Sequence, residues 1–437
     1  MAREGGHDKI ALKAGKIITM AGEEIENGIL LMAGGKIEAL GSDLEIPYDY
    51  WLVDASDSVV FPGMIEAFTS RGLDRSNESM AVTPFLDVYD AIDPASVYFE
   101  DALRDGTTTL LISQGPDTVI GGLARAVRPI GMSVDEMTTE PEAGIILSFA
   151  PKSGFDHMVQ MATFRETFRE LEEYLRDLAE TRYEEDVKEK GETLDVGPEE
   201  AAKRGRSLIR EEDLDFEHRN LQRLVEGRLR AYLYCRTPLD VAHALDTARK
   251  HGFLARSVLV LESACYKVID VIKASGLPVI LDAEMVHVKV DSLTGDEEKI
   301  FVPRLYFDAG IPFAVLSDPY QSFGTRYLAY QAGRLVRNGI PRQAALKAIT
   351  KNAAHAIGLD DRLGTLEPGK EANLLVLTGD PLEMTTWVDR VFIEGRLVYE
   401  REKDYRLKEL LTGEEKAGPE GGEQDPDRED ADPEGKE

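Results

Sequence analysis

Between residues 61 and 364, short apolar runs recur with helical patterns between several of them. The runs lie at 107–113, 144–149, 229–235, 257–262, 277–282 and 312–317, and apolar residues return at helical spacing over 240–251 and 266–275. A short apolar run bounded by turn residues suits a strand buried on both faces. Such strands, separated by helices, pair in parallel through crossovers. The repetition predicts an α/β fold, a TIM-type (β/α)8 barrel over 61–364.

The flanks read differently. Residues 9–60 hold short strand-like runs broken by glycines, as at Gly34 and Gly35, and residues 365–402 return to strands. The glycine-bounded runs of 9–60 predict a small β-sandwich. Residues 155–228 are dense in Glu, Arg and Lys, with helical apolar spacing and charge pairs four apart. That pattern predicts a charged helical insertion, its polar face in solvent. From 412 to 437 the chain is acidic with Gly and Pro, a composition that predicts disorder.

Charge and cysteine content narrow the function classes. The formal net charge of the 437 residues is −30, and residues 414–437 hold eleven acidic and three basic ones. Such a surface repels nucleic acid and anionic membranes. No apolar run approaches a membrane span, and the first nine residues show no apolar leader core. Cys235 and Cys265 are too few for a disulfide framework. A cytoplasmic location is the expectation.

The segment Phe61-Pro62-Gly63-Met64-Ile65-Glu66-Ala67-Phe68-Thr69-Ser70 resembles the first barrel strand of the amidohydrolase superfamily, written Pro-Gly-hydrophobic-Ile-Asp-Ala-His-x-His. Further matches are Ala344-Ala345-Leu346-Lys347-Ala348-Ile349-Thr350-Lys351-Asn352-Ala353-Ala354, Leu363-Gly364-Thr365-Leu366-Glu367-Pro368-Gly369-Lys370-Glu371-Ala372-Asn373-Leu374 and Gly379-Asp380-Pro381-Leu382. Ile120-Gly121-Gly122 is similar to the imidazolonepropionase-type subgroup. The resemblance implies a metal-dependent hydrolase barrel that would use zinc, carried beside a small β-sandwich built from both chain ends, 9–60 with 365–402. It also implies oligomers, and inactive dihydroorotase-like members that scaffold an enzyme give a precedent.

Position by position, the ligands this resemblance implies are missing. Phe68 and Ser70 stand where the first-strand histidine pair belongs, and Phe68 has no lone pair to give. Zinc prefers Cys, His and carboxylate over a Ser hydroxyl. The mid-barrel run 144–150 has no lysine, and Lys152 lies just beyond it. The fifth-strand histidine falls on Tyr234, with Tyr232 or Arg236 as alternatives, and Ser263 replaces the sixth-strand histidine after Glu262. The eighth-strand acid is kept as Asp318. No bound metal and no other cofactor is therefore expected.

Other residue types leave alternatives open. Asp318 either keeps a role in a polar pocket, as the candidate catalytic residue, or caps the next segment or pairs with a cation such as Arg326. Cys265 is either a small buried residue or a nucleophile activated by Lys267 or His287, and Cys235 is similar. Glu66 and Glu262 could form an acid–base pair. Phe68, Tyr232 and Tyr234 predict a filled or aromatic-lined mouth. The expected function is an amidohydrolase-fold protein with a degenerate metal site. It would act without catalysis as partner or scaffold, in a homo-oligomer or a hetero-oligomer with an intact amidohydrolase. The alternative is an active hydrolase of a cyclic amide or other non-peptide C–N bond, with a relocated metal or none.

Overall fold

The computed structural model describes residues 8–318 and 327–412. The tail for which disorder is expected lies outside them beyond Thr412, the last residue of a short helix at Tyr405–Thr412, and so does Arg326.

Eight strands form the barrel wall: β1 (Met64–Thr69), β2 (Thr107–Ile112), β3 (Ile120–Val127), β4 (Thr138–Ser148), β5 (Ala231–Cys235), β6 (Ser257–Leu261), β7 (Val279–Leu281) and β8 (Phe313–Val315). They are hydrogen-bonded in chain order from β1 to β8 as one nearly closed, TIM-type sheet. The strict (β/α)8 expectation fails at one place. β3 runs antiparallel to both β2 and β4, so three consecutive strands form a meander. The cause is the connection, residues 113–119. A parallel return needs a crossover of a dozen or more residues, usually a helix, and this one is too short. Gly121 lets β3 lie close to β4, since a Cβ there would sit 2.5 Å from Ile146 Cγ2.

Helices follow the other strands: α1 (Val97–Arg104), α2 (His157–Glu189), α3 (Pro198–Gly205), α4 (Phe216–Val225), α5 (Pro238–Lys250), α6 (Ile269–Ser275), α7 (Val302–Asp308), α8 (Leu328–Arg337), α9 (Arg342–Ala348) and α10 (Lys351–Ile357). The segment read as a charged insertion folds into α2, α3 and α4. Asp156 caps α2 by accepting from Val159 N–H at 2.9 Å. One stripe of α2 is apolar and buried: Phe164, Phe168, Leu171 and Leu175. Phe164 stacks on Phe149 at 4.6 Å between ring centroids. Its charged face stays in solvent, where Arg169 bridges Glu166 and Glu173.

Strand alternation gives the wall two apolar faces. Ile65, Leu111, Ile146, Tyr232, Val260, Ile280 and Ala314 pack inside the barrel with Ala353 and Ala354 of α10. Leu147, Leu233, Leu261, Leu281 and Val315 face the helices. Both chain ends meet in a second eight-stranded sheet, where Leu374–Leu377 pairs with Trp51–Pro62. Trp51–Pro62 passes directly into β1 through Gly63, where a Cβ would lie 2.0 Å from Thr108 Oγ1.

The sheet order leaves a seam between β8 and β1. Two devices bridge it. Glu66 of β1 accepts from Ser317, just after β8: both carboxyl oxygens lie 3.3 Å from the Ser317 amide nitrogen, and Oε2 lies 2.5 Å from its hydroxyl. Beside it, Asn352 of α10 donates to the Phe313 carbonyl at 2.8 Å, and Ile65 N–H donates to the Ile349 carbonyl.

Candidate active site at the barrel mouth

The C-terminal strand ends define the mouth, the face where barrels of this type carry their chemistry. Leu261 pairs with Leu281 and Leu281 with Val315. These three point outward, so Glu262, Asp282 and Leu316, one residue further on, are placed inward at one level. Asp318 follows two residues after Leu316. Tyr234 precedes outward-facing Cys235 and packs against the inner cluster.

Three side chains here form a polar network. The Tyr234 hydroxyl donates to Glu262 Oε1, and Arg236 Nε donates to the same oxygen at 3.1 Å. Burial, and then the neighbouring Glu262 charge, push the Tyr234 phenol far up. Asp282 is pushed up to about 6 by burial, with Glu262 and Asp318 as further like charges and the Ala283 N–H pulling the other way. Asp282 was not singled out from the sequence. A lone Asp ending an apolar run signals nothing until strand register sets it beside Glu262.

The remaining sequence candidates scatter. Phe68 is buried, its ring 6.0 Å from that of Tyr232. Ser70 is half-buried just past β1. Ser263 Oγ lies 3.5 Å from His287 Nδ1, and the His287 ring lies 5.4 Å from that of Tyr266. Cys265 faces the helix layer, its thiol donating to the Cys235 carbonyl at 3.3 Å. Burial pushes that thiol well up, away from a reactive thiolate. Cys235 is also fully buried and pushed up. Lys267 is exposed. Lys152 is buried and donates to the Glu78 and Asp117 carbonyls at 3.2 and 2.9 Å, so it ties loops together.

Glu66 does not pair with Glu262. It points out of the barrel into a small cleft with Arg71, Tyr98 and Ser317. Simple alternation would set Glu66 on the same face as Phe68, but β1 and β2 slip register between Glu66 and Thr69. A bulge of this kind reverses which side chains face in.

The comparisons follow this geometry. The amidohydrolase family model matches residues 277–399. The amidohydrolase tasK of Hapsidospora irregularis is 22% identical over 405 residues, covering 85% of this chain and 39% of that protein. The imidazolonepropionase of Thermoplasma volcanium is 32% identical over 111 residues, 24% of this chain and 28% of that one. The chain thus spans well under half of these two relatives. Among solved structures, an amidohydrolase from Thermotoga maritima superposes with a TM-score of 0.72 at 23% identity, over 90% of this chain and all of the other. The chain is thus similar to the amidohydrolase superfamily in sequence over 277–399 and in fold over most of its length.

An amidohydrolase of this superfamily implies zinc, and the donors at this mouth do not fit it. Four positions carry Phe68, Ser70, Tyr234 and Ser263. Tyr234 already donates a hydrogen bond to Glu262, and Glu262 is held by two donors. Among the described residues, no three His, Cys, Asp or Glu side chains converge as a metal site would require. The other described histidines include His157 on Asp240, whose carboxylate also accepts from the Arg236 and Thr237 N–H groups, His218 on Asp215 and His355 on Asp360.

Proposed function

We propose that this amidohydrolase-fold protein is a pseudo-hydrolase. It has no metal chemistry and serves as the partner or scaffold of a catalytic paralogue or of another copy of itself. The observation that carries the reading is the network at Glu262. Tyr234 and Arg236 both donate to the carboxylate that borders the lost ligand positions, and Phe68 is buried against Tyr232. A site built to hold zinc presents free lone pairs, and this one consumes them internally. No described helix is long and apolar enough to cross a membrane, and a cytoplasmic location belongs to the same proposal. Elemental analysis with native mass tests it. The expected result is far less than one zinc per chain with a discrete oligomer or a complex with an intact amidohydrolase; about one tightly held zinc per chain overturns it.

A second reading rests on Asp282. A carboxyl group raised to about 6 and set beside two further carboxylates suits a proton donor in acid–base work. Asp318 would take a proton from an attacking water while Asp282 gave one to the leaving nitrogen of a cyclic amide. Turnover of an amide panel that Asp318→Asn abolishes would favour it; turnover that survives this change removes Asp318 from the mechanism.

A further inference from the structure

A groove of ≈630 Å³ lies outside the barrel, between the loop after β1 and helices α2 and α4. The loop that forms one wall runs beside β3, Val82 bridging to Ile120. Met80, Val82, Phe85 and Leu221 give it an apolar lining. Met80 is 55% exposed, and Phe216, whose ring meets Phe85 edge-on at 5.4 Å, is 62% exposed. Large apolar side chains standing in solvent beside a concave surface mark an interaction site more often than a plain surface. The rim carries Glu166, Glu170 and Glu217, and no Lys or Arg lines the groove. Glu166 is held by Arg169, and the remaining titratable lining group, His218, is engaged by Asp215 and stacked on Tyr174.

We propose that this groove docks a basic amphipathic helix of a partner protein, its apolar face on Phe85, Leu221 and Phe216 and its Lys or Arg side chains over Glu170 and Glu217. Charge complementarity selects this occupant. The rim is acidic, and a chain of net charge −30 repels a second copy more than a cationic segment. An apolar strip between charged edges is the helix-in-groove mode of peptide recognition. The inference rests on the scaffold reading only in naming what a partner presents; docking outside the barrel does not depend on the mouth.

The test uses the full chain and a fluorescent synthetic helix of Leu and Lys, followed by anisotropy. Binding is expected to weaken by about tenfold or more from low to high salt. Glu170→Lys with Glu217→Lys should cost a similar factor. Phe216→Ser, an exposed site that leaves the fold intact by circular dichroism, should weaken binding at every salt concentration. Glu184→Lys with Glu189→Lys, on the same helix layer but outside the groove, should change little. Equal losses at the groove and control sites would reduce the interaction to bulk charge and overturn the proposal. So would a homodimer whose interface protects 80–85 and 216–221 from amide exchange, since a second copy would then be the occupant. A zinc-loaded, active protein that still binds the helix would sink the scaffold reading and leave the groove standing.

Discussion

Glu66 and Glu262 are both carboxylates near the C-terminal halves of barrel strands, and their surroundings differ in every respect. Glu262 is part-exposed at the mouth, fixed by a phenol and a guanidinium. Glu66 is 3% exposed on the outer face of β1, with Ser317 donors on its oxygens and Arg71 as a more distant charge. Burial pushes Glu66 up to about 8, against the pull of those Ser317 hydrogen bonds. At neutral pH Glu66 is therefore mostly a neutral acid. Facing, set by one register slip, decides which carboxylate closes the barrel and which lines its mouth.

The largest expected effect separates the two by pH. Glu66 has a folded pKa above its ordinary 4.5, so the unfolded chain releases its proton first. The stability that protonated Glu66 supplies is complete below about 4.5 and is lost as pH rises toward about 8. Asp282 adds a loss of the same sign, but only up to about 6. Between pH 6 and 8 the chain should lose roughly 2–3 kcal/mol through Glu66. Urea unfolding of Glu66→Gln should show that slope removed, whereas Glu262→Gln should leave it in place. The groups facing Glu66, namely Arg71 of the following loop, Tyr98 and Asp101 of α1, Asp105 and Ser317, remain unchanged in the Gln variant. An unchanged slope there would assign the titration to one of them.

Ser317→Ala comes next. It removes the 2.5 Å hydroxyl contact and leaves the backbone N–H on Glu66. Loss of one buried partner should cost about 1–2 kcal/mol. Faster amide exchange should follow in β1 and β8, on the two sides of the seam, and not in β5 or β6. A uniform loss across the barrel would mean that the seam has no special dependence on this contact.

Tyr234→Phe probes the mouth with a smaller effect. Arg236 still holds Glu262 in that variant, and both groups are partly exposed. The cost should be below about 1 kcal/mol. A larger loss would make the mouth network as much a part of the wall as the Glu66 seam.

These contrasts were unevenly legible in the sequence. The apolar runs located β2 and β4 to β8, and the 61–70 frame located β1. β3 escaped because Gly121 and Gly122 break its apolar run, and the short 113–119 connection is the signal that would have predicted its reversal. The ligand losses expected at 68, 70 and 263 are each framed by neighbours of fixed type, whereas the fifth-strand position leaves Tyr234, Tyr232 and Arg236 open. Glu66 lies near a strand end like Glu262, which leaves an acid–base pair open from sequence alone; the register slip that separates them belongs to the pairing with β2 and leaves no mark on β1 itself. Its partner Ser317 is 251 residues away, and only the near-closed wall brings them together.

Zinc should produce the smallest effect of all, and the comparison of the two carboxylates explains why. A site that binds zinc only when folded raises the melting temperature as zinc is added. The mouth offers Glu262 already satisfied and Asp282 with part of its population protonated near pH 6, and Glu66 cannot contribute because it faces the other way. Millimolar zinc should therefore shift the melting temperature by less than about 1 °C. A variant carrying Phe68→His, Ser70→His, Tyr234→His and Ser263→His restores four imidazoles, and the Tyr234 change frees one donor from Glu262. If that variant gains a zinc-dependent rise and the parent shows none, side-chain identity at the strand ends is what removed the metal. If neither responds, the β1 register slip that turns Glu66 outward has also moved positions 68 and 70 away from the ligand geometry.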